Sequence, residues 1–158
     1  MVILFFIFLA AIFLAYANGA NDNFKGVATL FGSGMADYKK ALWWATVTTF
    51  LGSLTALSIS TKLITTFSGK GLVPDAIVRD PHFLISVGIG AALTVIIATL
   101  TGFPISTTHS LLGAIIGAGL LSTGLKINFN ILGNKFFLPL LLSPAISVFL
   151  TLVIYPGF

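Results

Sequence analysis

The chain of 158 residues contains no cysteine, which excludes a disulfide framework, a thiolate metal site and a cysteine nucleophile. Charged residues are almost as scarce, since they make up 8% of the chain against about 25% of a typical soluble domain. Eight basic and four acidic side chains cannot cover a water-exposed surface of this size. This composition excludes an ordinary soluble enzyme and a disordered chain.

The net charge of +4 reflects the scarcity of acidic residues rather than a run of basic ones. Because lysine and arginine are scattered, no segment resembles a surface for a phosphate backbone, and nucleic acid is not an expected partner. Hydrophobic residues make up 57% of the chain, and the mean hydropathy is +1.09. These values are typical of an all-α polytopic membrane protein surrounded by membrane lipid.

Five apolar segments are candidates for membrane helices, because about 20 apolar residues span a bilayer core. Strands of a barrel would instead alternate with a period of two over about 10 residues. Charge, glycine, proline or asparagine mark the connections. We therefore expect residues 1–158 to form a single transmembrane unit without a soluble domain. The segments are Met1 to Ala17, Ala41 to Phe67 with an interruption at Lys62, Phe83 to Thr101, Ile105 to Leu121, and Phe136 to Tyr155.

The sequence leaves parts of this topology open. The first segment ends in Ala15-Tyr16-Ala17, which resembles a signal-peptide cleavage site, but no basic residue precedes Lys25, so a retained helix is favoured. The glycine-rich segment Ile105 to Leu121 could cross the membrane or re-enter from one side. The distribution of positive charge favours neither orientation strongly.

A run of polar side chains, Asn18-Gly19-Ala20-Asn21-Asp22-Asn23, directly follows the first apolar segment. Glycine permits unusual backbone angles, and asparagine and aspartate favour turns. Because another apolar stretch follows, the pattern predicts a discontinuous transmembrane helix that is unwound at these residues. The oxygen atoms of Asn21, Asp22 and Asn23 are hard donors suited to Na⁺. The alternative is a turn at the membrane interface, in which Asp22 only caps the next helix.

A second break in the apolar pattern is the run Thr101-Gly102-Phe103-Pro104-Ile105-Ser106-Thr107-Thr108-His109-Ser110. Proline disfavours helix at the preceding residue and suits the first turn of the helix that follows. Free N–H groups, the positive end of the helix dipole and several hydroxyls would together favour an anion. The alternative is that these hydroxyls bond back to carbonyls of their own helix.

Nearby residues allow more than one interpretation. His109 could donate to an anion, carry a coupled proton or bond to a neighbouring helix. Lys25, about one helical turn after Asp22, could pair with that carboxylate, extend towards the membrane surface or contact the anion. Gly113 and Gly117 form a GxxxG pair, which favours close helix packing. An intramembrane hydrolase with Ser106 or Ser110 beside His109 is disfavoured, because the chain has no G-x-S-x-G motif.

The two polar runs resemble motifs of the inorganic phosphate transporter family. The residues Gly19-Ala20-Asn21-Asp22 are similar to the family's GAND motif. The run from Pro104 to Ser110, followed by Leu112 to Gly117, is similar to its PxSTTH segment and glycine-rich helix. The resemblance implies secondary transport of inorganic phosphate across the cell membrane, whether inner or plasma membrane, coupled to Na⁺ or H⁺, and not an enzymatic reaction.

The resemblance also implies roles for individual residues. Ser106, Thr107 and Thr108 would hold phosphate oxygens, and Asp22 would face the phosphate as well. Asn21, Asp22 and Asn23 would form the cation site, with Lys25 and His109 tuning the two sites. A carboxylate can accept a hydrogen bond from the P–OH of hydrogen phosphate, whereas sulfate at neutral pH has no such proton.

This chain departs from the family pattern in two ways. Lys25 stands where family members have a second asparagine, so its ammonium could replace a bound Na⁺, and a sulfate or other oxyanion permease stays an alternative. The family is built from two inverted repeats, each with its own motifs, and here each motif occurs once. The chain therefore resembles one half, more like the amino-terminal one. It would act as an antiparallel homodimer, pair with a separately encoded half or be a truncated sequence; an inactive subunit that needs a partner is a further alternative.

Overall fold

The computed structural model describes residues 1–61, 64, 67–124 and 126–155, and within these ranges helices and short turns make up the fold. A 3₁₀ turn at Lys25–Val27 precedes the second helix, and a π-helical turn at Gly133–Phe137 precedes the last one. We number the α-helices in chain order: α1 Val2–Asp22, α2 Ala28–Gly32, α3 Tyr38–Ile59, α4 Asp75–Val78, α5 Pro81–Thr101, α6 Thr107–Thr123, α7 Phe129–Leu132 and α8 Leu138–Ile154.

Four helical stretches of the described chain are long and apolar enough to span a membrane. They confirm the prediction of an all-α polytopic membrane protein, although the number of such stretches is four rather than five. The fourth predicted segment, Ile105 to Leu121, corresponds to α6, whose 17 residues extend over about 26 Å. A bilayer core is about 30 Å thick, so α6 is short for a perpendicular crossing. The four stretches are Val2–Gly32, Tyr38–Ile59, Pro81–Thr101 and Phe129–Ile154.

The helix α3 begins three residues before the apolar segment predicted from the sequence. Its first turn is stabilised by Asp37, whose Oδ1 accepts a hydrogen bond from the main-chain N–H of Lys40 at 2.8 Å. That hydrogen bond is also the main cause that lowers the pKa of the Asp37 carboxyl. The predicted interruption at Lys62 lies outside the described residues.

The helices α1 and α6 both pack against α5, which places α5 at the centre of the described fold. Three residues are fully buried where α1 and α5 meet, namely Ala17 of α1 and Ala92 and Val95 of α5. One to two turns along from these residues, the backbones of α1 and α5 lie close together, since a Cβ added at Gly88 would lie 3.1 Å from the Cβ of Ala10. Because the two predicted motifs lie on α1 and α6, their shared contact with α5 fixes their separation.

A second apolar cluster joins α6 to the connection between α3 and α5. Leu72 and Val73 of that connection are buried with Ile115 of α6, and the carbonyl of Leu72 accepts a hydrogen bond from the main-chain N–H of Asn128 at 2.9 Å. A Cβ added at Gly119 would lie only 2.6 Å from Val73 Cγ1, so this glycine is required by a close approach.

The glycines predicted to pack closely lie elsewhere on α6. A Cβ added at Gly113 or Gly117 would meet no atom of the described residues within 4 Å. The GxxxG interpretation is therefore wrong within the described chain, and the close contact is made by Gly119 instead. The sequence pattern identified the right helix but not the face that packs.

The helices α3 and α8 lie at the periphery of the described fold. Only Ala41 and Ala45 of α3 are buried, and none of the residues of α8 is. Large apolar side chains cover both helices, among them Trp43, Trp44 and Phe149. Such surfaces are compatible with hydrocarbon surroundings, because the backbone of each helix is hydrogen-bonded within the segment.

The first helix break differs from its prediction. The helix α1 continues through the predicted unwound run as far as Asp22, and the break falls at residues 23–27. The main-chain N–H of Asn23 still donates to the carbonyl of Gly19 at 3.1 Å, so the polar residues keep helical geometry. Side chains of neighbouring helices satisfy the polar groups, as described below, and an unwound turn is not needed for that purpose.

The second helix break confirms its prediction. The helix α5 ends at Thr101, and Gly102 adopts the left-handed conformation with φ of 74°. The N–H of Phe103 donates to the carbonyl of Ala98 at 2.9 Å, a hydrogen bond typical of a glycine-terminated helix. Ser106 then forms the N-cap of α6. The stretch between the two helices exposes main-chain carbonyls that no helix uses.

Candidate functional site

The two polar runs predicted from the sequence meet in the structure. Thr107 Oγ1 donates a hydrogen bond to Asp22 Oδ2 at 3.0 Å, which joins the start of α6 to the end of α1. Lys25 Nζ donates to the main-chain carbonyl of Ile105 at 2.9 Å, which joins the same two breaks a second time. The two breaks therefore form one polar site, with α5 behind it.

Asp22 has both carboxylate oxygens engaged within this site. Oδ2 accepts the hydrogen bond from Thr107, and Oδ1 lies 2.6 Å from Lys25 Nζ in an ion pair. The side chains of Asp22 and Lys25 are 36% and 49% exposed, so the pair is open on one side. An ion pair this accessible to solvent adds little stability. Its effect here is to fix the orientation of the carboxylate and to balance its charge.

Asn21 is oriented by contacts on both ends of its amide. Its Nδ2 donates to Thr99 Oγ1 at 2.7 Å, and its Oδ1 accepts from Lys25 Nζ at 2.5 Å. Thr99 donates its own proton to the carbonyl of Val95 at 2.8 Å, which leaves the hydroxyl oxygen free to accept from Asn21. The amide oxygen of Asn21 therefore points towards the same position as the carboxylate of Asp22.

The side chain of Asn23 is turned away from Asn21 and Asp22, with which it was predicted to form a cation site. Its Nδ2 donates to Thr46 Oγ1 at 3.1 Å, and its Oδ1 accepts from Thr49 Oγ1 at 3.0 Å. Both threonines belong to α3 and lie about one turn apart. The structure thus brings Asn21 and Asp22 together and places the amide of Asn23 on α3, where it links the first break to the peripheral helix.

The start of α6 presents the hydroxyls predicted for the anion. Ser106 Oγ accepts from the main-chain N–H of His109 at 3.3 Å as the N-cap, and Ser110 Oγ donates back to the carbonyl of Ser106 at 3.1 Å. The alternative interpretation, bonding within the helix, is therefore correct for Ser110. Thr107 instead donates to Asp22, and Thr108 lies half-buried in the same first turn. The first-turn N–H groups and the positive end of the helix dipole lie here too.

His109 lies on the other side of this turn, at a groove between α5 and α6. The groove has a volume of about 430 Å³ and is lined mainly by Gly90, Ile105, Gly113 and Ala114, with His109 exposed at its edge. Asp22 and Thr107 do not line it. Ile105 lines the groove with His109, and its carbonyl contacts Lys25 in the polar site. The imidazole therefore lies next to the polar site but makes no described contact with Asp22.

Sequence reasoning missed several groups that build the site. Thr99 orients Asn21, the carbonyl of Ile105 accepts from Lys25, and Thr46 and Thr49 hold Asn23. A lone threonine in an apolar helix usually bonds to its own backbone, as Thr99 also does, so the sequence carries no separate signal for its second contact.

The described part of the chain contains four helical stretches that are long and apolar enough to span a membrane, and a polar site between two helix breaks. These features define the class of multi-pass membrane proteins. The chain belongs to the phosphate transporter family, whose model matches residues 18–157. The family consists of transporters rather than enzymes, which removes the hydrolase alternative.

Several curated relatives are similar to this chain. A protein of Pyrococcus furiosus named as a phosphate permease is 32% identical over 147 residues, which cover 90% of this chain and 34% of the relative. A protein of Pyrococcus abyssi named in the same way is 34% identical over 72% of this chain and 28% of its own length. A protein of Plasmodium falciparum named as a sodium-dependent phosphate transporter is 32% identical over 75% of this chain and 18% of its own length.

The matched part of the chain thus corresponds to no more than about a third of the length of these relatives. No solved structure matches the chain.

Proposed function

We propose that the protein carries inorganic phosphate across the cell membrane by secondary transport driven by a cation gradient. Membership of the phosphate transporter family supports the substrate class. The observation that carries the proposal is the hydrogen bond of 3.0 Å between Thr107 and Asp22, because it unites the two polar breaks in one site. A solute that crosses a bilayer needs such polar groups at helix interruptions, where backbone N–H and C=O groups become available.

The phosphate oxygens would be held by the hydroxyls of Ser106 and Thr108 together with main-chain N–H groups of the first turn of α6. Thr107 would join them when its proton turns from Asp22 to the phosphate. Such a site attracts an anion through donors and the helix dipole without a dedicated positive side chain. A carboxylate has about four acceptor positions, and the described contacts of Asp22 use two of them. A remaining position could accept the P–OH proton of hydrogen phosphate, which would favour phosphate over sulfate.

Na⁺ is the first candidate for the coupling cation. Its support is the printed name of the Plasmodium falciparum relative and the hard oxygen atoms of Asn21 and Asp22, although these two oxygens face the ammonium group of Lys25. H⁺ is the alternative, with His109 as the titratable group beside the site. In either case Lys25 and His109 would tune the site rather than carry the phosphate oxygens.

A complete transport path would require a second set of polar breaks. Inverted-repeat transporters place their substrate at the interface of two repeats, and the described site contributes one pair of breaks. The partner would be a second copy of this chain in antiparallel orientation or a separately encoded half.

Uptake of labelled phosphate into proteoliposomes tests the proposal. The purified chain is reconstituted alone, under an inward Na⁺ gradient, an inward H⁺ gradient or neither. We expect accumulation of phosphate with one gradient and little competition by excess sulfate. Equal inhibition by sulfate and phosphate would instead indicate a general oxyanion permease. Failure to accumulate phosphate under either gradient would contradict the proposal for this chain alone. It would favour the alternative hypothesis of an inactive subunit that needs a partner.

A further inference from the structure

Lys25 has all the donors of its ammonium group engaged by oxygen atoms. Nζ lies 2.5 Å from Asn21 Oδ1, 2.6 Å from Asp22 Oδ1 and 2.9 Å from the carbonyl oxygen of Ile105. An ammonium group has three N–H donors, so these three contacts satisfy it completely. In this arrangement no N–H of Lys25 is left for a bound anion, and the side chain does not extend towards the membrane surface.

The three oxygen atoms around Nζ are those that a small monovalent cation would use. One comes from a carboxylate, one from a side-chain amide and one from a main-chain carbonyl in the non-helical stretch between α5 and α6. Transporters commonly bind Na⁺ with unwound backbone carbonyls and with the negative ends of interrupted helices. Asn21 and Asp22 form the last turn of α1, where the helix dipole also favours a positive charge.

A second cation cannot share this position with the ammonium group. A Na⁺ bound to the same oxygens would lie within contact distance of Nζ, and two like charges at that distance repel each other strongly. The single negative charge, on Asp22, is already balanced by Lys25 at 2.6 Å. The three oxygens therefore hold either the side chain of Lys25 or a free cation.

We propose that Lys25 is a built-in cation that occupies the coupling-ion position formed by Asn21, Asp22 and the carbonyl of Ile105. This part of the transporter then binds no Na⁺ at that position, and any Na⁺ coupling of the whole protein arises elsewhere. Lys25 also joins the two helix breaks through its contact with Ile105, without a bound metal ion. The role in coupling rests on the proposed function, but the predicted exclusion of Na⁺ does not.

The test uses Na⁺ alone as the probe, with phosphate absent. The melting temperature of the purified protein in detergent is measured in NaCl and in choline chloride of equal concentration. We expect Lys25→Ala to gain a Na⁺-specific rise on the order of 2–5 °C over wild type, because a ligand that binds only the folded state stabilises it. Lys39→Ala, at an exposed lysine of α3, should respond as wild type does.

A double variant shows whether the gained response comes from the proposed position. In Asp22→Asn/Lys25→Ala the carboxylate ligand is lost, so the gained Na⁺ response should disappear. Equal Na⁺ responses in wild type and Lys25→Ala would overturn the proposal. So would a gained response that survives the loss of the Asp22 carboxylate.

An experimental structure of the wild type in saturating NaCl gives a second test if Lys25→Ala does not fold. Density for Nζ between Asn21, Asp22 and Ile105 would support the proposal. A Na⁺ at that position with Lys25 turned away would overturn it. Phosphate uptake is measured separately, so a protein that fails to transport phosphate but shows the predicted Na⁺ responses contradicts only the proposed function.

Discussion

Thr107 and Asp22 are separated by 85 positions in the chain, yet the hydroxyl of the first donates to the carboxylate of the second at 3.0 Å. The contact crosses from the first turn of α6 to the last turn of α1. In the proposed transporter this hydrogen bond links the phosphate site at the start of α6 to the carboxylate that pairs with Lys25, so phosphate binding would change the surroundings of that ion pair.

Replacement of the Asp22 carboxylate should abolish concentrative uptake of phosphate. In Asp22→Asn the ammonium of Lys25 loses the charge that balances it, and Thr107 loses a charged acceptor. The protein should still reach the membrane, because the Asp22–Lys25 pair is partly exposed and adds little stability. The measurement is labelled-phosphate accumulation at matched protein levels. Asp75→Asn, at an exposed carboxylate of α4, is the control, and wild-type accumulation in Asp22→Asn would refute the role.

Loss of the Thr107 hydroxyl should weaken phosphate binding. Thr107→Val keeps the shape of the side chain and removes its hydrogen bond to Asp22. We expect the KM for phosphate to rise roughly tenfold, equivalent to about 1.4 kcal/mol, close to the lower limit for a hydrogen bond to a charged group. Thr107→Ser retains the hydroxyl and should keep a KM close to that of wild type. An unchanged KM in Thr107→Val would show that the hydroxyl does not serve the phosphate site.

The contact between Thr99 and Asn21 should contribute to stability. In Thr99→Val the Nδ2 of Asn21 loses its acceptor in a half-buried position. An unpaired buried donor costs about 1–3 kcal/mol, which should appear as a lower melting temperature in detergent. Thr101→Val is the matched control, because the hydroxyl of Thr101 bonds only to carbonyls of its own helix among the described residues. Equal melting temperatures for the two variants would show that the contact adds nothing.

Two glycines of the same helix should respond differently to alanine. At Gly119 the new Cβ would lie 2.6 Å from Val73 Cγ1, so Val73 must shift, at an expected cost of about 1–3 kcal/mol. At Gly117 a Cβ meets no described atom within 4 Å, and alanine favours the helix over glycine. Thermal unfolding of both variants should therefore rank Gly119→Ala below Gly117→Ala. The reverse order would mean that the unoccupied face of α6 is covered by another chain.

The fold class could be predicted from the sequence because length and apolarity alone decide whether a helix can span a bilayer. The second break was also predictable, since Pro104 and Gly102 constrain the backbone locally whatever surrounds them. The first break was displaced, because Asn21 can remain helical when Thr99 satisfies its amide. Thr99 belongs to a helix that is distant in the sequence, so no local pattern around Asn21 predicts this contact.

The candidate site shows the same division between local and distant information. Residue types at the two breaks pointed to Asp22 and Thr107, and the structure brings them together. The contact of Lys25 with the carbonyl of Ile105 was not predictable, since any residue supplies a main-chain carbonyl and only the fold decides which one lies within reach. The GxxxG pattern failed for a related reason, because spacing identifies a face of α6 but not the neighbour that packs against it.

The close approach of α5 to α1 at Gly88 and Ala10 leaves no spare volume between the two backbones. The side chains at positions 10 and 88 therefore compete for the same space, and the effect of a mutation at one position depends on the residue present at the other. A larger residue at position 88 becomes acceptable only beside a smaller one at position 10. In a library that randomises both codons, functional sequences should show this negative covariation of side-chain volume, so that the two positions change as a pair.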